Sequence, residues 1–335
     1  MGAIQKLKSL KGDIIKGLSE FYSYMVTSLV EASEKCRDLR KTNLELAEFH
    51  LKQANFSDSI FRYWIVINIF KVHKEKAFYN LALAYLFSNT RAKAISYFHK
   101  VLELNPKNKL CKFRLAALEK PDEVDEVPLE ILEEDYDIWS SIYSRLVREA
   151  KYIGPEVLID EYRNYIAEHK KEELEITDAF DLGCGYGIAG YLATVNFKVE
   201  NLYGVDLSNK MLSKAKSLND KEHVFKKFFH ENFLKFAAYP AKADLVIACH
   251  SLQFSRDLKP FLKKFKAISK NSAHLIFSLP LSKSKRTFYD ENTRQFEYTI
   301  TDVEKMLKAE KFSKIKLITK QTSGSQDSII AIAIK

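Results

Sequence analysis

The sequence predicts a two-part protein: an all-α N-terminal region, then an α/β domain with a doubly wound, mostly parallel, seven-stranded sheet. Three observations predict it. Residues 44–118 read as helix after helix. Beyond residue 175, short apolar strands alternate with amphipathic helices, the pattern of a parallel sheet. Within "DAFDLGCGYGIAGYL", Gly183, Gly185, Gly187 and Gly190 bring four of the chain's ten glycines into eight residues. Glycine weakens strands and helices, so such a cluster answers a backbone need. Here it lies where a strand becomes a helix, a place where a ligand can approach free helix-start N–H groups.

The 335 residues suffice for two hydrophobic cores. No apolar run approaches the roughly 20 residues that span a bilayer. The opening "MGAIQKLKSLKGDIIKGL" lacks the apolar core of a secretory signal, and Lys6 stands where a myristoylation motif places Ser or Thr. Cys36, Cys111, Cys184 and Cys249 are far apart and form no CxxC pair, which argues against structural zinc and for reduced thiols in a cytoplasmic protein. The net charge is +9, but the lysines are dispersed, without an arginine-rich block or an RNA-binding aromatic motif. This describes a solvated surface, and nucleic acid is not an expected partner.

In chain order, residues 1–43 suit amphipathic helices, with Ile14, Leu18, Met25 and Leu29 on one face. They would pack on the repeats that follow or lie on a membrane surface. In a 34-residue window from Glu75, the residues Phe78, Leu81, Ala82, Tyr85, Ala94, Phe98 and Pro106 occupy positions 4, 7, 8, 11, 20, 24 and 32. This resembles the tetratricopeptide repeat, whose two helices interlock through small residues. Leu46, Ala47, His50, Ser59 and Tyr63 trace a weaker copy, and "FRLAALE" begins a third, so 44–120 is read as helical repeats. Repeats of this kind bind peptides, which implies a protein or peptide partner. The acidic segment 121–135, with two prolines, reads as a linker.

The α/β domain is placed at 136–335, opening with a helical lead, "DIWSSIYSRLVREAKYIGPEVLIDEYRNYIAEH". Strands are expected at 176–182, 202–207, 223–229, 243–249 and 273–279. Helices fall in "NKMLSKAKSL", "LKPFLKKFKAIS" and "TITDVEKMLKAEKF", and two strands joined by a turn end the chain.

Gly185, Gly187 and Gly190 satisfy the G-x-G-x-x-G dinucleotide pattern, which alone is weak. The longer stretch Asp181-Leu-Gly183-Cys-Gly185-Tyr-Gly187 resembles motif I of class I S-adenosylmethionine (SAM) methyltransferases. Asp181 discriminates: a carboxylate there is unfavourable beside a pyrophosphate and favourable beside SAM's ammonium and sulfonium groups. Asp206, 19 residues after Gly187, ends the next strand and can accept both ribose hydroxyls. "GVDLSNKML" and the C-terminal hairpin are also similar to that family, with its sheet order 3-2-1-4-5-7-6. "DYDIWSSIYSRLVREAKYIGPEVL" resembles the junction in proteins that join tetratricopeptide repeats to a methyltransferase domain related to trans-aconitate methyltransferases. The resemblance implies a Rossmann-like fold and SAM as cofactor. It implies cofactor contacts at Asp181, Gly183, Gly185, Gly187, Asp206, Leu207, Met211 and Cys249. Glu231 or Asn232 would meet the adenine, and Tyr136, Trp139 and Tyr143 would form a lid.

Methyl transfer from an activated donor needs positioning above all, so a catalytic residue is not obligatory. His250, after the fourth strand, is the candidate general base. "CHSL" there lacks the D/N-P-P-Y/F stretch of enzymes that methylate planar exocyclic amines, and Cys249 follows Ala248 rather than the proline of cytosine-C5 enzymes. A small metabolite or a protein remains as acceptor. The opposing expectation is an interaction scaffold with a degenerate methyltransferase domain; the intact Asp181, Asp206 and glycines favour cofactor binding.

Overall fold

The computed structural model describes residues 22–27, 38–72, 74–169 and 175–335. The expected helices of 1–43 therefore lie for the most part outside the described residues. The chain divides into two compact units, one reaching Leu51 and continuing through Asn55–Leu104, the other comprising Lys52–Ala54 and Asn105–Lys335.

The first unit is helical: α1 (Leu39–Lys52), α2 (Phe56–Trp64) running into a π-helical turn (Ile65–Ile69), α3 (Glu75–Phe87) and α4 (Arg91–Leu104). Ala47, Tyr63, Leu81, Ala82, Ala94 and Phe98 are buried. Small residues let helix axes approach, and Ser59 satisfies its buried hydroxyl by donating to the Ala47 carbonyl at 3.0 Å. Tyr85 and Tyr97 stack between α3 and α4 at 5.6 Å.

The second unit begins with α5 (Lys109–Glu119), α6 (Leu129–Trp139), α7 (Tyr143–Glu149) and α8 (Gly154–Glu168). The α/β alternation follows: β1 (Ile176–Leu182), α9 (Ile188–Asn196), β2 (Val199–Asp206), α10 (Asn209–Glu222), β3 (Phe225–His230), β4 (Ala243–Cys249), α11 (Lys259–Ile268) and β5 (Ser269–Pro280). A short ribbon, β6 (Phe288–Asp290) and β7 (Gln295–Glu297), precedes α12 (Ile300–Ala309), β8 (Ser313–Gln321) and β9 (Asp327–Ile334). The seven-stranded sheet runs β3-β2-β1-β4-β5-β9-β8. Its first five strands are parallel, and β9 pairs antiparallel with both β5 and β8. Alternate residues of β4 serve opposite faces: Leu245 and Ile247 pack with α8 and α9, while Val246 and Ala248 join the core that includes α11 and α12. Burial on both faces explains the continuous apolar run of "ADLVIAC".

Two features differ from expectation. The acidic segment 121–135 is built into the second unit rather than hanging between units. Val124, Val127 and Ile131 are buried in the same core as Phe180 and Phe277, Val127 N–H donates to the Phe254 carbonyl at 2.8 Å, and α6 takes up the second half of the segment. Its charges are held by arginines: Asp122 by Arg286 and Asp125 by Arg256. The acidic composition masked an apolar spacing. The β6–β7 ribbon was not expected, because three-residue strands carry no periodicity to read.

Candidate active site

The β1–α9 turn is where the cavity begins. Gly185 has φ +53°, a left-handed conformation costly for any residue with a Cβ, and open space on its Cβ side. Gly190 lies under β3, where a Cβ would come within 2.6 Å of the Phe225 ring, so glycine permits close helix–sheet packing. The turn borders a cavity of about 820 Å³, at the upper end of the roughly 300–1,000 Å³ of small-molecule sites.

The structure brings Asp181, Gly183, Gly185, Asp206, Leu207, Met211, Asn232, Cys249, His250, Tyr136 and Tyr143 to the wall of this one cavity. Gly187 and Glu231 are set apart from it. Gly187 caps α9 with φ +82° and its Cβ side meets Phe225. Glu231 is exposed, and its N–H donates to the Asp206 carbonyl, which leaves Asn232 as the member of that pair facing the cavity.

Two carboxylates dominate the turn's electrostatics. Asp181 accepts the Gly190 N–H through Oδ2 at 3.0 Å. Its Oδ1 is buried without a partner. Burial pushes the Asp181 carboxyl up to about 7, with repulsion from Asp206 adding to the rise and the Gly190 N–H opposing it. Asp206 accepts from the Gly185 N–H and the Ser208 N–H, each at 2.8 Å. Burial raises its pKa against those bonds. Ser208 caps α10, accepting from the Met211 N–H and donating to Asp137 Oδ1.

An unpartnered buried oxygen, an acidic strand end and a backbone cradle open at Gly185 fit a cationic ligand carrying a diol. Those are the properties of SAM. A carboxylate oxygen has two lone pairs, so Asp206 retains acceptor capacity beyond its two backbone bonds.

Side chains from several other segments complete the walls. Tyr152 Oη lies 2.8 Å from His250 Nδ1 and 3.6 Å from Cys249 Sγ. His250 has φ +46°, and its Nε2 lies 2.9 Å from Ser328 Oγ. Ser278 Oγ is 3.0 Å from His250 Nδ1. Burial holds the imidazole down to about 4, so it is neutral at pH 7, and it raises the Tyr152 hydroxyl well above its ordinary range, so the phenol stays protonated. Both His250 nitrogens are engaged, Nδ1 with Tyr152 and Ser278 and Nε2 with Ser328. Gln253, Arg294, Thr322 and Gln326 also line the cavity. Gln253, at the end of the fourth strand with Cys249 and His250, and Tyr152, in the "YIGP" run of the lead segment, stood in stretches that carried a sequence signal; Arg294 sits in the β6–β7 turn, which had none.

Residues 180–277 match the family model described as "Methyltransferase domain". Among solved structures, the chain is similar to magnesium protoporphyrin IX methyltransferase from Synechocystis PCC 6803 with bound SAM, at 19% identity over 62% of this chain and 96% of that one, TM-score 0.47. It is also similar to a SAM-dependent methyltransferase from Clostridium acetobutylicum ATCC 824, at 19% identity over 60% and 98%, TM-score 0.44. The N-methyltransferase NodS from Bradyrhizobium japonicum WM9, in complex with S-adenosylhomocysteine (SAH), matches at 14% identity over 53% and 87%, TM-score 0.41. No curated protein matches the chain. The family match makes residues 180–277 a methyltransferase domain. This match, together with a turn that fits a cationic ligand carrying a diol, supports SAM-dependent methyl transfer. No helix among the described residues is long and apolar enough to cross a membrane.

Proposed function

We propose that this protein methylates a small polar acceptor at an oxygen or nitrogen that loses a proton on methylation, and that Tyr152 and His250 take that proton. The carrying observation is the 2.8 Å contact between Tyr152 Oη and His250 Nδ1 at the cavity wall. SAM supplies the activated methyl group. Asp181 and the Gly183–Gly185 backbone hold its amino-acid end, Asp206 its ribose, and Leu207, Met211 and Asn232 its adenine. Tyr136, Trp139 and Tyr143 exclude water from above. As the acceptor is methylated, its proton passes to Tyr152 Oη while the Tyr152 proton moves to His250 Nδ1. Ser328 steadies the imidazole through Nε2.

Tritiated methyl transfer from SAM into a small-molecule cell filtrate tests the reading. Tyr152→Phe is expected to slow transfer by roughly 10²–10⁴-fold while SAM affinity stays unchanged. Equal rates in both proteins would remove Tyr152 and His250 from the chemistry.

The helical unit is read as a tetratricopeptide-type pair of repeats that recruits a partner protein. Support comes from buried small residues at Ala82 and Ala94 and from Phe61 and Trp64, which are exposed. The dispersed thiols suit a cytoplasmic site of action. Removing residues 1–104 is expected to preserve SAH binding and reduce methyl incorporation in whole lysate. Undiminished incorporation would exclude recruitment.

A further inference from the structure

We propose that Arg114 is a positioning residue for the cosubstrate lid: from α5, outside the family-matched segment, it fixes the C-terminal half of α6 and so sets where Tyr136 and Trp139 stand over the cavity. The inference rests on the reading that this cavity takes SAM. Arg114 is 3% exposed. One of its terminal nitrogens donates to Glu134 Oε2 at 2.6 Å and to Asp135 Oδ1 at 2.7 Å. Asp135 Oδ2 lies 3.8 Å from Arg294 Nε. The Arg294 guanidinium in turn covers the Trp139 ring at 5.2 Å, and Arg294, Tyr136 and Trp139 all line the cavity. A continuous chain of contacts thus runs from a helix that contributes nothing to the cavity wall to the two aromatic rings that cover it.

The sequence of α6 shows why such a grip is needed. The helix ends at Trp139, so Glu134 and Asp135 place two adjacent carboxylates in its second half. Anions near a helix C-terminus oppose the helix dipole, and neighbouring carboxylates repel each other. A buried guanidinium shared between them offsets both effects. Removing it leaves charge that is only partly solvated, a costly state. The cheapest relief is for the end of α6 to shift or unwind, which carries Tyr136 and Trp139 away from the cavity. Lysine would keep the charge and lose the planar, several-headed geometry.

The chain has two tryptophans. Trp64→Phe in the first unit leaves Trp139 as the reporter in a full-length background. SAH is the titrant, with binding followed by calorimetry and by Trp139 emission. Arg114→Met is expected to weaken SAH binding by about tenfold or more and to red-shift Trp139 emission in the ligand-free protein. Arg114→Lys should recover part of both changes. A merely structural arginine would lower the melting temperature and leave the emission and the folded protein's SAH affinity unaltered, and that outcome overturns the proposal. If Arg114→Met does not fold, Arg114→Lys and Asp135→Asn carry the same test with the same readouts. Failure of the unsubstituted protein to bind SAH would sink the cosubstrate reading, while the Trp139 emission of the variants would still decide the role of Arg114.

Discussion

The two ends of the cavity are built by different means. One end comes from a nearly continuous stretch, Asp181 to Met211, and consists largely of backbone N–H groups tied down by two carboxylates. The other gathers Tyr152, His250, Gln253, Arg294 and Gln326 from segments scattered over the second unit, and consists of side chains. The first arrangement suits a ligand that does not vary, because a turn and two strand ends suffice to define it. The second can be re-specified one loop at a time, which is where an acceptor must be chosen.

The largest effect in binding should come from breaking the backbone-built end. Asp206→Ala removes the acceptor for the Gly185 and Ser208 N–H groups together with the proposed ribose contact. Charge-assisted bonds of this kind are worth about 1.5–3 kcal/mol each. SAM and SAH affinities are expected to fall by roughly 100-fold, about 3 kcal/mol. A loss under about threefold by calorimetry would show that the turn holds its shape without Asp206 and that the ribose lies elsewhere.

This contrast also explains what was legible beforehand. The glycines, Asp181 and Asp206 were readable because one short stretch of chain creates the whole turn. The alternation and the final hairpin gave a parallel sheet with an antiparallel end, and its strand order came from the resemblance to class I methyltransferases. Tyr152 and His250 meet only after α8, β1 and β4 have assembled, so their pairing had no local signature, although each sat in a stretch that attracted notice. The burial of 121–135 was hidden because its acidic residues outnumber Val124, Val127 and Ile131 and are paired with Arg114 on the preceding helix and with Arg256 and Arg286, far away in sequence. "FRLAALE" matched the start of another repeat, yet α5 belongs to the second unit. Local pattern identifies a helix, while its partner is decided by the surface available to cover it.

A smaller effect should appear as pH dependence at Asp181. Burial pushes its carboxyl up to about 7 in the folded protein, against 3.8 for an ordinary aspartate. Between those values the folded state binds more protons than the unfolded state. Stability therefore falls as pH rises from about 4 to about 7 on account of this group. Asp181→Asn should flatten that part of the stability profile measured by denaturant titration. A cationic ligand favours the ionised form, so SAM binding should strengthen from pH 6 to 8 and release protons near pH 7. Binding heats that are identical in phosphate and Tris buffers would mean that no proton moves and that the buried Oδ1 is not the ammonium's partner.

The finest test separates two neighbours that the sequence left equivalent. Asn232 faces the cavity and fixes its own loop, with Oδ1 accepting the Leu234 N–H at 2.8 Å. Glu231 is exposed and contributes its backbone N–H to Asp206, not its carboxylate to the cavity. Asn232→Leu both removes a polar group beside the proposed adenine and releases the turn that carries Phe233 and Leu234, so SAH affinity is expected to drop by roughly tenfold. Glu231→Gln keeps the backbone donor and changes only a solvated side chain, so affinity should stay within about twofold, the size of effect typical of an exposed substitution. The two variants sit side by side in the chain, which makes their difference a direct reading of which way β3 delivers its last residues. If Glu231→Gln weakened SAH and Asn232→Leu did not, the β3 exit would be out of register by one residue, and the adenine would have to be placed against the other side of the loop.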